Sequence, residues 1–95
     1  MAIILVWSKK AEQGYAHVVR YLEKEWTEKE VRNFILETKH FFELLKENPH
    51  MLEPSKTHKD LYRGPINRLT ILTYRYRQRK NEIVLVNIRE SKKSP

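Results

Sequence analysis

The chain has 95 residues, enough for one domain and too few for two. It contains no cysteine, which excludes a disulfide framework and a thiolate metal site and favours a reducing compartment. The apolar run Ile3–Trp7 is too short for a signal peptide, and no stretch approaches the roughly 18 apolar residues of a membrane span, so we expect a cytoplasmic protein without membrane contact.

The basic residues are concentrated in the second part of the chain. Residues 1–55 hold 8 Lys or Arg and 9 Asp or Glu, a net charge of −1, whereas residues 56–95 hold 11 and 3, a net charge of +8. A basic half of this kind indicates a polyanionic or acidic partner: nucleic acid, an acidic protein segment or an anionic membrane surface. A solvated basic surface without a partner is the plain alternative, but the clustering argues against it.

The first half of the chain predicts one strand and two helices. Ala2–Trp7 is rich in β-branched residues and is typical of a strand. Ser8 offers a helix N-cap, and apolar residues then recur at three- and four-residue steps. Thr27–Glu30 has the form of a capping box that opens a second helix, and Asn48-Pro49 ends it. So tight a connection predicts an antiparallel helix hairpin.

The second half predicts three strands joined by turns. In chain order these are the strands Leu61–Arg63, Ile66–Arg77 and Ile83–Ile88, separated by turns at Gly64-Pro65 and Gln78–Asn81. The last strand is nearly all apolar, which predicts a central strand covered on both faces. Residues 89–95 are polar and predict a flexible tail.

These elements predict a single α+β domain, residues 1–95, with the order β-α-α-β-β-β. The helix hairpin should pack on one face of a small, mainly antiparallel twisted sheet, with the first strand parallel to one strand of the meander. The other face has no element left to cover it. Leu72, Tyr74 and Tyr76, or the residues that alternate with them, must then face water or a partner.

Several motifs along the chain have the order and spacing of one known family. They are Trp7-Ser8-Lys9-Lys10-Ala11, Tyr21-Leu22 followed by Trp26, Leu44–Pro49, Tyr74-Arg75-Tyr76 followed by Asn81–Val86, and the tail Lys92–Pro95. Together they resemble the RelE/ParE superfamily of toxins from type II toxin–antitoxin systems. The resemblance implies a toxin encoded beside an antitoxin that is acidic, partly disordered and wrapped around it.

Two activities occur in this superfamily: RelE-like members cut mRNA in the ribosomal A site, and ParE-like members poison DNA gyrase. The RelE-like pattern combines basic residues on the sheet with a Tyr or His at the extreme C-terminus. Here the tail Ser91–Pro95 has neither, and Lys92 stands about where that pattern has an Arg with a bidentate phosphate grip. We therefore favour a ParE-like inhibitor of gyrase, and we name no catalytic residue. A metal-independent, ribosome-dependent mRNA endoribonuclease and a non-toxic basic nucleic-acid-binding module remain the alternatives.

Two sets of residues are candidates for binding partners. The target-binding set is basic: Arg63, Arg68, Arg75, Arg77, Arg89, Lys92 and Lys93. The antitoxin-binding set is apolar or aromatic: Leu72, Tyr74, Tyr76, Val84 and Val86. Because alternate strand residues share a face, Arg75 and Arg77 should point the same way, and Arg68 the other way unless a bulge intervenes. The four histidines lack metal-ligand spacing and no phosphate-cradling loop is present, so we expect neither metal nor cofactor.

Overall fold

The computed structural model describes residues 2–91, which form a five-stranded sheet with a pair of helices packed on one face. In chain order the elements are β1 (Ile4–Trp7), α1 (Lys9–Glu25), α2 (Glu28–Glu47), β2 (Glu53–Pro54), β3 (Leu61–Asn67), β4 (Thr70–Arg77) and β5 (Glu82–Glu90). The strand order across the sheet is β1-β5-β4-β3-β2. The predicted α+β plan is confirmed, and β2 is a short additional strand.

β1 forms the parallel part of the sheet. It pairs with β5, with Ile4 opposite Glu82 and Trp7 opposite Leu85. The pairs β2–β3, β3–β4 and β4–β5 are antiparallel. A parallel pair needs a long crossover connection, and the two helices lie within the connection between β1 and β5. The expected parallel placement of the first strand is therefore confirmed.

Both helices begin at the predicted capping residues. The hydroxyl of Ser8 accepts a hydrogen bond from the amide of Ala11 at 3.0 Å and donates one to the carbonyl of Val86 at 3.0 Å. Ser8 therefore caps α1 and also ties its beginning to β5. At α2 the hydroxyl of Thr27 accepts from the amide of Glu30 at 3.2 Å, and the Glu30 carboxylate accepts from the amide of Thr27 at 3.0 Å. This reciprocal pair is the predicted capping box.

The predicted turn at Gly64-Pro65 is wrong, because both residues lie inside β3. Proline cannot donate a ladder hydrogen bond and is therefore confined to positions without a partner strand on its amide side. The neighbouring β2 pairs only with Tyr62 and Arg63, so Pro65 lies beyond the end of β2, where β3 is an edge strand. The short length of β2 thus explains how a proline fits in β3.

The chain turns instead at Arg68 and Leu69, between β3 and β4. The side-chain oxygen of Asn67 accepts hydrogen bonds from the amides of Leu69 at 2.9 Å and Thr70 at 3.1 Å. An asparagine side chain that bonds to the backbone two and three residues ahead makes a turn without glycine or proline. The single long strand predicted over Ile66–Arg77 is therefore two strands.

The predicted turn Gln78–Asn81 is confirmed. It consists of a 3-10 helix, Gln78–Lys80, followed by Asn81 with a left-handed φ of 50°. β5 then continues to Glu90, and the amide of Ser91 still bonds to the carbonyl of Leu69 at 2.8 Å. The first two residues of the predicted flexible tail are therefore part of the sheet.

The core lies between the helices and one face of the sheet. Its main cluster consists of Ala11, Phe41, Phe42, Leu45, Leu72, Tyr74, Ile83, Leu85 and Ile88. Trp7 joins β1 to this core, with ring centroids 5.6 Å from Tyr15 and 5.4 Å from Phe42, both edge-on. A second cluster, Val18, Leu22, Val31 and Phe34, lies between the two helices. Burial of these side chains is the main stabilising contribution.

The prediction that β5 is covered on both faces is wrong. Ile83, Leu85 and Ile88 are buried under the helices, whereas Val84 and Val86 are half-buried. The helices cover one face of the sheet, and the residues that alternate with the buried ones point away from them. Because β5 carries apolar residues at successive positions, Val84 and Val86 lie near the face that the helices do not cover.

Candidate functional site

The face of the sheet opposite the helices presents a surface built from four cross-strand rows. Residues paired directly across neighbouring strands share a face, so the register identifies the members of each row. The rows are Pro65, Ile71 and Arg89; Glu53, Arg63, Thr73 and Asn87; Leu61, Arg75, Val84 and Val6; and Arg77, Glu82 and Ile4. We call this surface the open face.

Four arginines from three strands lie on the open face. Arg63 and Arg89 are exposed. Arg75 is half-buried, and its Nη1 donates a hydrogen bond to the carbonyl of Lys59 at 3.1 Å. Nη1 of Arg77 lies 3.9 Å from the Glu82 carboxylate. An ion pair this exposed contributes only about 0–1 kcal/mol, so Arg77 can exchange it for a partner at little cost.

The charge of the open face is positive. Its rows contain two carboxylates, Glu53 opposite Arg63 and Glu82 opposite Arg77, against the four arginines. Between the charges lie the half-buried side chains of Thr73 and Val84. A positive field around small apolar and hydroxyl groups favours an acidic protein surface or a phosphate backbone as partner.

Arg68 lies beside the open face. It is in the turn between β3 and β4 and lines a shallow depression together with Arg63 and Ile71. The β3–β4 register shifts between Pro65 and Asn67, just before the turn. Such a bulge interrupts the strict alternation of side chains between the two faces of a strand. It therefore allows Arg68 to lie at the same surface as Arg63.

The structure thus brings together five of the seven predicted target-binding residues: Arg63, Arg68, Arg75, Arg77 and Arg89. The other two, Lys92 and Lys93, lie outside the described residues.

The predicted antitoxin-binding residues do not form one surface. Leu72 and Tyr74 have no exposed area because they lie under the helices, so in this fold they cannot touch a partner on the sheet. Tyr76 is half-buried on the same side. Val84 lies on the open face, and Val86 is the extra residue of a bulge in β5, half-buried. The prediction is therefore wrong for Leu72 and Tyr74, because alternation places them opposite the arginines.

A histidine–tyrosine cluster, not predicted from the sequence, lies on the helix side of the sheet. Nδ1 of His50 and the hydroxyl of Tyr62 are 2.7 Å apart, and the His50 ring lies edge-on to Tyr76 at 5.2 Å. Such a pair could transfer protons. It faces away from the arginines, however, because Tyr62 is opposite the buried Tyr74. Within residues 2–91, the rows of the open face hold no histidine or tyrosine.

No group of three or more His, Asp or Glu side chains within residues 2–91 has an arrangement suited to hold a metal ion.

Among residues 2–91, Tyr74 has the largest shift in pKa. Its hydroxyl donates a hydrogen bond to the carbonyl of Pro49 at 2.6 Å, and burial raises the pKa of Tyr74 to about 12. Because the raised pKa favours the protonated phenol in the folded state, its contribution to stability is complete below about pH 10 and is lost as the pH rises towards 12. The loss is at most about 1.4 kcal/mol per pH unit.

This shift predicts the outcome of a tyrosine titration. In the folded protein, the last step of tyrosinate absorbance should come near pH 12, and Tyr74→Phe should remove that step. Urea unfolding of the two proteins at pH 9 and pH 11 should show a smaller pH dependence for the variant. A wild-type protein whose tyrosines all ionise near pH 10 would contradict the burial of Tyr74.

The fold is the α+β arrangement that the resemblance to the RelE/ParE superfamily implies. A family model confirms this assignment: the ParE toxin of the type II toxin–antitoxin system parDE matches residues 5–95. The chain therefore belongs to the ParE toxin family. Among curated proteins, none is similar enough to count as a match. In the described part of the chain, neither helix combines the length and the apolar character that a membrane crossing requires.

Proposed function

We propose that the protein is a growth inhibitor that acts on DNA gyrase through the open face and is neutralised by a cognate acidic antitoxin in the cytoplasm. Membership of the ParE toxin family supports the toxin part of this proposal. The single observation that carries the choice of mechanism is the composition of the open face. Within residues 2–91 its rows have arginines from three strands and no histidine or tyrosine, and each of their two carboxylates, Glu53 and Glu82, lies opposite an arginine.

This composition supports binding rather than cleavage. Metal-independent RNA cleavage needs a general base and an acid within hydrogen-bond reach of the reacting oxygens, which typically contribute about 10²–10⁴-fold each. An arginine stays protonated near neutral pH and cannot take the part of a base. Arg63, Arg75 and Arg89 can hold an anionic surface in place, which is all that inhibition by binding requires.

The antitoxin is proposed to cover the same face. An acidic segment would pair with Arg63 and Arg89 and pack apolar side chains on Val84, so the target and the antitoxin would compete. Of the antitoxin-binding residues predicted from the sequence, Val84 and Val86 remain candidates. Val86 lies at the bulge in β5. A stable complex should bury more than about 1,000 Å².

The ribonuclease alternative depends on the same cations, since Arg63, Arg75 and Arg77 could also hold RNA phosphates. Primer extension on mRNA from induced cells separates the two mechanisms. We expect growth to stop without cuts phased to codons and with DNA strand breaks, because gyrase is the proposed target. Codon-phased cuts that precede the DNA breaks would contradict the gyrase proposal, and continued growth would point to a non-toxic binding module.

A further inference from the structure

We propose that the end of the sheet at the β4–β5 turn is a second binding site, specific for the phosphate backbone of duplex DNA. A cleft opens there between this turn and the loop that precedes β3. All the residues that line it are of polar or charged type: Lys59, Asp60, Arg77, Gln78, Arg79 and Lys80. This site does not depend on gyrase and goes beyond the proposed function.

The charges in the cleft are unbalanced. Four cationic side chains face one carboxylate, that of Asp60. Nη1 of Arg77 also lies 3.9 Å from the carboxylate of Glu82, outside the cleft lining. Within residues 2–91, no carboxylate lies at ion-pair distance from Lys59, Arg79 or Lys80. Like charges held together on a fold are destabilising unless an anion compensates them, so the cleft gains from binding one.

Hydrogen bonds and tight turns fix the backbone that carries these cations. The amide of Tyr76 donates to the carbonyl of Asp60 at 3.0 Å, and Nη1 of Arg75 donates to the carbonyl of Lys59 at 3.1 Å. Asp60 has a left-handed φ of 62°, and Asn81, after the 3-10 helix, has a φ of 50°. Two tight turns therefore fix the backbone positions from which the basic side chains extend, so little backbone entropy is lost on binding.

The lining indicates nucleic acid rather than protein as the ligand. The centre of a protein interface is depleted in charge and relies on aromatic or apolar anchors. The cleft has no apolar lining residue, whereas the neighbouring open face has Val84 and Ile71. A row of cations without an apolar centre matches the uniform, closely spaced charges of duplex DNA, which are contacted without reading the bases.

The cleft and the open face meet at Arg77, which lines the cleft and also lies opposite Glu82 on the open face. A protein target bound to the open face would therefore lie next to Lys59, Arg79 and Lys80. The two surfaces are therefore adjacent, and a protein on one and DNA on the other could be bound at the same time.

The test is the salt dependence of binding to a short labelled DNA duplex, measured by fluorescence anisotropy. Each phosphate contact contributes about 0.9 to the slope of log K against log salt. For the Arg79→Ala/Lys80→Ala variant we expect the slope to fall by about 2. The matched control is Lys29→Ala/Lys39→Ala on α2, which removes the same charge from exposed helix positions and should leave the slope unchanged.

Equal slopes for the two double variants would overturn the proposal. Lys59→Ala serves as an independent probe from the other side of the cleft, and its slope should fall by about 1. Circular dichroism confirms that each variant is folded. Labelled single-stranded DNA and duplex RNA are run in parallel, and tighter binding of either would overturn the assignment to duplex DNA. Two results would distinguish this site from the open face. One is a cleft variant that loses DNA binding but still inhibits gyrase, and the other is an open-face variant that loses gyrase inhibition but still binds DNA.

Discussion

Reversing the charge of Arg63 and Arg89 together is expected to abolish growth inhibition while leaving the fold intact. The two side chains are exposed on the open face, opposite Thr73 and Ile71, so no buried contact depends on them. Losing one charged partner of an interface pair costs about 2–5 kcal/mol when the pair is desolvated, and reversal adds repulsion. Two such changes should weaken target binding by at least about 100-fold. Growth after induction of Arg63→Glu/Arg89→Glu measures the effect.

The matched control for this result is Lys29→Glu/Lys39→Glu on α2. It changes the net charge by the same amount, but both lysines are exposed on the helix layer, away from the open face. We expect the control to stop growth as the wild type does. Equal toxicity of the two double variants, at equal protein levels and with native circular dichroism spectra, would show that the open face does not bind the target.

The second large effect is expected from Gly14→Ala. Helix propensity alone predicts stabilisation by about 1 kcal/mol at a helical position. The structure predicts the opposite, because a Cβ at Gly14 would lie 1.8 Å from the carbonyl oxygen of Ile88 and 3.0 Å from its carbon. Overpacking costs typically about 1–3 kcal/mol even where side chains can move, and here the obstacle is the backbone of β5. We therefore expect Gly14→Ala to lower the free energy of unfolding by at least about 3 kcal/mol.

Gly64→Ala is the comparison for this substitution. There the added Cβ would lie 2.9 Å from Cδ2 of Leu52, the end of a flexible side chain, so the loss should be smaller. Urea unfolding followed by circular dichroism measures both variants. A Gly14→Ala protein as stable as the wild type would mean that α1 does not approach β5 as closely as described.

The termini of the helices could be predicted from the sequence because the signals are local. Ser8 and Thr27 bond to amides three residues ahead, and both interactions depend on side chains that the sequence displays. The close approach of Gly14 to Ile88 could not be predicted in this way. It joins residues far apart in the chain, and the sequence shows only a glycine that weakens a helix.

The sequence predicts the boundary between β3 and β4 at the wrong place. The Gly64-Pro65 pair indicates a turn but lies in a strand, whereas the true turn follows Asn67. Gly64-Pro65 is typical of a turn, but Pro65 is accommodated where β2 no longer pairs with β3. The real turn depends on one side chain, that of Asn67, and contains neither glycine nor proline. Asparagine at such a position is a weaker signal, and only the hydrogen-bond partners show that it forms the turn.

The covered face of β4 could have been predicted correctly. Arg75 and Arg77 alternate with Tyr74 and Tyr76, so the arginines and the tyrosines cannot share a face. Charged side chains are rarely buried unless paired, which assigns the arginines to the surface and Tyr74 to the core. The predicted arginine set therefore forms a surface, whereas the predicted apolar set does not, because Leu72 and Tyr74 belong to the core.

The supercoiling activity of purified DNA gyrase in the presence of the purified protein tests the proposed function most directly. We predict that the wild-type protein inhibits supercoiling and causes cleaved plasmid to accumulate, and that Arg63→Glu/Arg89→Glu does neither, while Lys29→Glu/Lys39→Glu behaves as the wild type. Full supercoiling activity at protein concentrations that stop growth in cells would contradict the account and place the target elsewhere.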